Sequence, residues 1–187
     1  MNHPSHFDRE RRLYLGTIGG GLAALLVGLL LMSNPWAPPG TIAALFVVYV
    51  LTDAAASFYT AMRARQAGMW SGMLLLVGII DLAAAAAILA MPGLGALRLV
   101  AGVRGIASGA CDGAWPLRQK RNELLVLAGF ATFALGAIIL AWPGPGTVAL
   151  PWLIGLEAML SGALLVAGGA SDLKRAAGTT MVAAADA

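Results

Sequence analysis

The sequence predicts an all-α membrane protein: six transmembrane helices folded as three repeated helical hairpins in a pseudo-threefold arrangement. Three observations predict it. Hydrophobic residues make up 59% of the chain and charged ones 11%, against roughly 25% charged in an ordinary soluble domain. No charge occurs from Leu13 to Thr52, a run that a soluble bundle of this size has no core large enough to bury. An ionisable residue followed four places later by serine occurs three times, at Asp53/Ser57, Arg104/Ser108 and Glu157/Ser161, with starts 51 and 53 residues apart. A recurrence of that length is an internal repeat of supersecondary size.

A spanning helix needs about 20 mostly apolar residues to cross about 30 Å of hydrocarbon, and six segments qualify in turn. The first, 14–34, is uncharged. Arg11-Arg12-Leu13-Tyr14-Leu15 before it resembles a twin-arginine signal, but the apolar stretch is of full spanning length and lacks a small-x-small cleavage site, so an uncleaved helix is expected. The second, 41–61, carries Asp53 near its middle, and the third, 69–91, carries Asp81 and stops before Pro92. The fourth, 94–114, is the least apolar because it holds Arg98, Arg104 and Asp112. The fifth, 124–142, is uncharged, and the sixth, 147–169, carries Glu157. The expected organisation is a polar cytoplasmic tail over 1–12, a membrane domain over 13–175 with repeats at about 13–65, 66–121 and 122–175, and a flexible tail over 176–187.

Ten of the twelve basic residues cluster at Arg9/Arg11/Arg12, Arg63/Arg65, Arg118/Lys120/Arg121 and Lys174/Arg175. The alternate connections, near Asn34–Gly40, Pro92–Gly95 and Pro143–Gly146, have none. The positive-inside rule then puts both termini in the cytoplasm of a multi-pass protein of the bacterial inner membrane, with Trp36 and Trp142 at the outer interface and Trp70 and Trp115 at the inner one. The net charge of +3 thus serves insertion. No aromatic platform interleaves with the basic clusters, so no nucleic-acid partner is expected. The expected partner is the lipid bilayer, with a homo-oligomer or a membrane or periplasmic protein compatible with it.

Each repeat pairs a first helix ending at a proline with a second helix carrying the ionisable residue. Fourteen residues before Pro35, Pro92 and Pro143 stand Gly21, Gly78 and Gly129, and seven before stand Gly28, Ala85 and Gly136. Positions seven apart share a helix face, so each first helix offers a small-residue stripe to a close neighbour. In the second helices Leu97–Gly109 aligns without a gap on Leu150–Gly162, matching Gly102 with Gly155 and Gly109 with Gly162. The first unit diverges and has extra loop residues at Trp36-Ala37-Pro38-Pro39.

This small–x6–small–x6–Pro first helix, with a Gly- and Ser-rich second helix, very short outer turns and the basic inner loop Arg118-Gln119-Lys120-Arg121, resembles the HdeD family of small bacterial inner-membrane proteins. The resemblance covers about residues 12–175. It implies an association with acid resistance and brings no catalytic or binding residues to carry over.

The expected centre follows from depth. Asp81 lies eleven residues before Pro92 and Arg104 twelve after it, which in an antiparallel hairpin sets both about 16–18 Å from the outer turn. The repeat brings Asp53 and Glu157 to the same depth, and Tyr49, Asp53 and Ser57 form one stripe. The candidate buried ionisable centre is therefore Asp53, Asp81, Arg104 and Glu157, with Tyr49, Ser57, Ser108 and Ser161 beside it. Asp81 and Arg104 are expected to pair, leaving Asp53 and Glu157 to answer to pH. One arginine cannot neutralise three carboxylates, so at least one acid is expected to hold its proton. Arg98 and Asp112 are expected to snorkel to the outer and inner interfaces.

No enzyme is expected: nothing reads as a strand, no nucleophile elbow or phosphate loop occurs, and Ser57, Ser108 and Ser161 lack a histidine base. His3 and His6 stand in a polar tail without other ligands, and Cys111 is a lone small packing residue, so neither a metal nor another cofactor is expected. Two functions remain. One is a stress- or acid-resistance-related membrane scaffold whose buried ions fix helix register. The other is a small proton- or ion-responsive transporter or channel running past Asp53, Arg104 and Glu157. A polar passage at that depth favours the second, and closed packing of the second helices the first.

Overall fold

The computed structural model describes residues 6–66, 68, 71–91, 93–118, 123–141 and 149–185. Among these the chain is helical throughout its regular structure: α1 (His6–Ser33), α2 (Pro39–Gln66), α3 (Gly72–Ala90), α4 (Leu94–Arg118), α5 (Glu123–Ala141) and α6 (Ala149–Ala185). Each contains a stretch long and apolar enough to cross a membrane, from Leu15–Ser33 in α1 to Ala149–Ser171 in α6. Large apolar side chains such as Leu26, Ile79, Leu89 and Phe130 are exposed on the outside of the bundle. That surface suits hydrocarbon, where every backbone group must be satisfied inside its own helix. The protein is an all-helical, multi-pass membrane protein.

Two ends differ from expectation. α1 begins at His6, inside the segment read as a polar tail, and α6 continues to Ala185 through the segment read as a flexible tail. Beyond Gly168-Gly169 the sequence is dominated by alanine with Leu173, Lys174, Arg175 and Met181, good helix formers with no proline to stop them. The expected roles of Trp70, Trp142, Pro92, Pro143, Lys120, Arg121 and the Trp115 side chain lie outside what is described.

The visible turns have local causes. After α1 the Ala37 N–H donates to Asn34 O at 3.1 Å, and α2 then opens on Pro39, whose missing N–H costs nothing at a helix start. α2 closes on Gly68, at φ +75°, with its N–H on Arg65 O at 3.0 Å, a left-handed cap that glycine adopts without strain.

Successive helices touch, and α6 returns to α1. The most extensive contacts are α1 with α6 and α4 with α5, and glycines explain both. A Cβ on Gly21 would stand 2.7 Å from Gly162 O, and one on Gly28 2.7 Å from Gly155 O. Across α4 and α5, a Cβ on Gly129 would fall 2.2 Å from Gly113 N, and one on Gly136 2.7 Å from the Gly105 carbonyl carbon. Backbones this close pack by dispersion, which replaces the hydrophobic drive that is missing in lipid. α2 and α3 approach less closely. There Gly78 meets the Phe58 ring, and Phe58, five residues past Asp53, occupies the repeat position held by Gly109 past Arg104 and Gly162 past Glu157.

In the half of the bundle away from the chain termini the interior is apolar. Leu31, Ile42, Phe46, Leu97, Ile139 and Ile154 are all buried there in one cluster. The charged residues sit beneath it.

Candidate functional site

Arg104, on α4, is 2% exposed and uses every edge of its guanidinium. Nε donates to Asp81 Oδ1 of α3 at 2.7 Å. Nη1 donates to Glu157 Oε1 of α6 at 3.1 Å and to the Tyr49 hydroxyl of α2 at 3.2 Å. Nη2 donates to Asp53 Oδ2 of α2. The guanidinium carbon also lies 4.7 Å from the centroid of the Tyr49 ring, within cation–π range. Only arginine presents a planar fork of five donors able to serve acceptors on three sides.

The depth arithmetic expected one pair with two acids left over; the guanidinium instead bonds all three acids. The reason is geometric. Asp53, Arg104 and Glu157 face inward from α2, α4 and α6, so the fork at the middle reaches each of them as readily as it reaches Asp81. Asp81 Oδ2 and Glu157 Oε2 nonetheless remain buried without a hydrogen-bond partner among the described residues. The side chains of Asp81 and Glu157 are fully buried, whereas that of Asp53 is 21% exposed.

Asp53 is exposed because it lines a cavity of about 80 Å3, room for several waters. All six helices contribute to its wall, including Gly16 and Gly20 of α1, Ser57 and Thr60 of α2, Leu74 of α3, Asp112 of α4, Thr132 of α5 and Ser161 of α6. Along each helix these positions run from the depth of Arg104 toward the end of the bundle that holds both chain termini. Tyr49 and the apolar cluster close the other side.

The three repeated serines part company. Ser108 Oγ donates to Arg104 O and Ser161 Oγ to Glu157 O, each at 2.7 Å, the back-bonding to the preceding turn that a helix offers any serine. Ser108 thus supports the helix rather than the ions. Ser161 does both, since it also faces the cavity, and Ser57 lines the cavity as well.

Two residues assigned to the interfaces have surroundings the sequence did not announce. Arg98 donates through Nε to Ile139 O at 3.0 Å and through Nη2 to Leu140 O at 2.7 Å, capping the carbonyl end of α5, where a cation is favoured. Asp112, expected at the inner interface, lines the cavity with Asp53. A signal for it was present: Arg104, Ser108 and Asp112 are spaced by four, the same stripe as Tyr49, Asp53 and Ser57.

Apolar helices around one buried arginine and three shared acids define a polytopic membrane protein with an intramembrane charged centre. Within that class, the chain belongs to the family of short repeats of unknown function (DUF308), which matches residues 20–90 and again 127–185. The first match contains Asp53 and Asp81 and the second Glu157, with Arg104 between them. No curated protein and no solved structure matches the chain.

Proposed function

We propose that this is an HdeD-like protein of the bacterial inner membrane whose Arg104 centre responds to protons arriving from the cytoplasm and adjusts the packing of the bundle under acid stress. The observation that carries it is the position of Asp53, which shares Arg104 with two fully buried acids while lining the cavity. A proton taken up there changes the charge balance of the whole cluster. Three carboxylates around one guanidinium leave an excess of negative charge, and in hydrocarbon such an excess is costly.

The orientation is supported by Arg63 and Arg65 in the last turn of α2, at the same end of the bundle as the cavity and both termini. The pseudo-threefold arrangement of three hairpins is supported by the order of contacts, in which the first helix of each hairpin packs on the second helix of another: α1 on α6, α3 on α2, α5 on α4. No catalysis is part of the proposal. An open channel is disfavoured by the apolar cluster beyond Tyr49, which leaves the cavity one-sided. A purely structural role for the ions is disfavoured by the unpartnered oxygens of Asp81 and Glu157, since a polar network kept only to fix register gains from being fully satisfied.

The test pairs two measurements on wild type, Asp53→Asn and Glu157→Gln: thermal unfolding in lipid nanodiscs across acidic to neutral pH, and acid survival of a deletion strain carrying each form. Both variants should flatten the dependence of unfolding temperature on pH and reduce survival. Wild-type behaviour of both variants in both assays would overturn the proposal.

A further inference from the structure

We propose that the cavity beneath Arg104 is a binding site for a small monovalent cation. The proposal deepens the proton-responsive reading and rests on it for the direction of the pH effect. Its first support is the chemistry of the wall. Ser161 spends its hydroxyl proton on Glu157 O and Thr60 on Ala56 O, at 2.7 and 2.8 Å, so each of these lining residues has only lone pairs left to offer. Asp53 and Asp112 add carboxylate oxygens. What remains on offer is rich in acceptors, and acceptors attract a cation or a cationic donor.

The second support is independent of charge. Thr132 is 6% exposed and lines the cavity, yet its hydroxyl has no hydrogen-bond partner among the described residues. A hydroxyl left unmade costs about 1–3 kcal/mol, so one on a residue that lines a cavity points to an occupant. Ser57 is in the same position with a less buried side chain.

Size and ligand set narrow the class. About 80 Å3 holds an ammonium or alkali cation with a few waters. No group of three or more His, Cys, Asp or Glu among the described residues has metal-binding geometry, and calcium takes 6–8 oxygens with several carboxylates among them. Hydroxyls with two acids suit a monovalent ion. The ionisable groups around the cavity are Asp53 and Tyr49 of α2, Asp81 of α3, Arg104 and Asp112 of α4 and Glu157 of α6, while α1 and α5 bring none to its wall. One positive charge stands among four acids. Protons therefore compete with the cation, and binding weakens as pH falls.

The test uses the whole protein in nanodiscs at one near-neutral pH and constant ionic strength, with sodium, potassium or ammonium chloride replacing tetramethylammonium chloride, whose ion is bulky and has no N–H. At least one of the three should raise the unfolding temperature saturably. The half-saturating concentration should rise about tenfold or more in Asp112→Asn and in Thr132→Val, tenfold corresponding to about 1.4 kcal/mol. Thr132→Ser, which keeps the hydroxyl, should bind as wild type, and Gly19→Ala, on the exposed side of α1 with open space around it, should not change the midpoint. No saturable effect of any of the three ions, or unchanged midpoints in both Asp112→Asn and Thr132→Val, would overturn the site. A pH response that persists without any cation response overturns the site alone; a cation response without a pH response overturns only the proton-responsive reading.

Discussion

At the residue scale the protein turns on one guanidinium held by α4 between acids from α2, α3 and α6. Removing Arg104 strands three carboxylates, so Arg104→Gln should cost roughly 3–5 kcal/mol, the range for breaking a buried ion pair from one side. Arg104→Gln combined with Asp81→Asn should be less destabilised than Arg104→Gln alone, as read by unfolding in detergent, because it removes one stranded acid. Equal or greater loss in the double variant would show that the acids do not depend on Arg104. Tyr49 offers a finer probe. Tyr49→Phe removes one acceptor and should cost about 1 kcal/mol, whereas Tyr49→Leu also removes the ring beneath the guanidinium and should cost more. The convergence of Asp53, Asp81, Arg104 and Glu157 was legible because repeat spacing and distance from the prolines both fix depth. Asp112 was legible only in part: its four-residue spacing from Ser108 and Arg104 puts it on the inward stripe, but a charge near a helix end has an inexpensive default in the interface. The partners of Arg98 were not legible either, since they are the last carbonyls of another helix, which no side-chain pattern announces.

At the scale of elements, small residues set how closely helices approach. Gly129→Ala drives a Cβ into the α4 backbone at Gly113 and should cost about 1–3 kcal/mol by overpacking. Gly78→Ala meets the Phe58 ring, a side chain that can turn, and should cost less. Nothing lies within 4 Å of a Cβ on Gly19, so Gly19→Ala should be neutral or stabilise by up to about 1 kcal/mol through helix propensity. Thermal unfolding of the three variants in one detergent checks the order, and a Gly78→Ala loss exceeding that of Gly129→Ala would contradict it. The glycine offsets in Gly21, Gly78 and Gly129 were legible as a stripe. The loose α2–α3 contact was legible too in one residue, since Phe58 interrupts the glycine of the other two units. The extension of α6 to Ala185 was hidden by composition, because an Ala-, Gly- and Thr-rich segment carries no amphipathic period to separate a helix from a tail.

At the scale of the whole molecule, the interior is closed by an apolar cluster on one side of Arg104 and holds on the other a cavity lined in part by Asp53, Ser57, Asp112 and Ser161. Reporter fusions at Pro38, Gly93 and Gly144 should report the periplasm and those at Ala67 and Gln119 the cytoplasm; a periplasmic signal at Gln119 would reverse the cavity's orientation. The six spans were legible from length and hydropathy alone. The one-sided cavity was not, since it arises where six helices leave a gap between glycine seams. The most direct test of a proton-responsive centre is infrared difference spectroscopy of the protein in nanodiscs as pH is lowered. A protonated-carboxyl band should grow as pH falls, and it should be diminished in Asp53→Asn and in Glu157→Gln. A band that does not change with pH, or that is unaltered in both variants, would contradict the account.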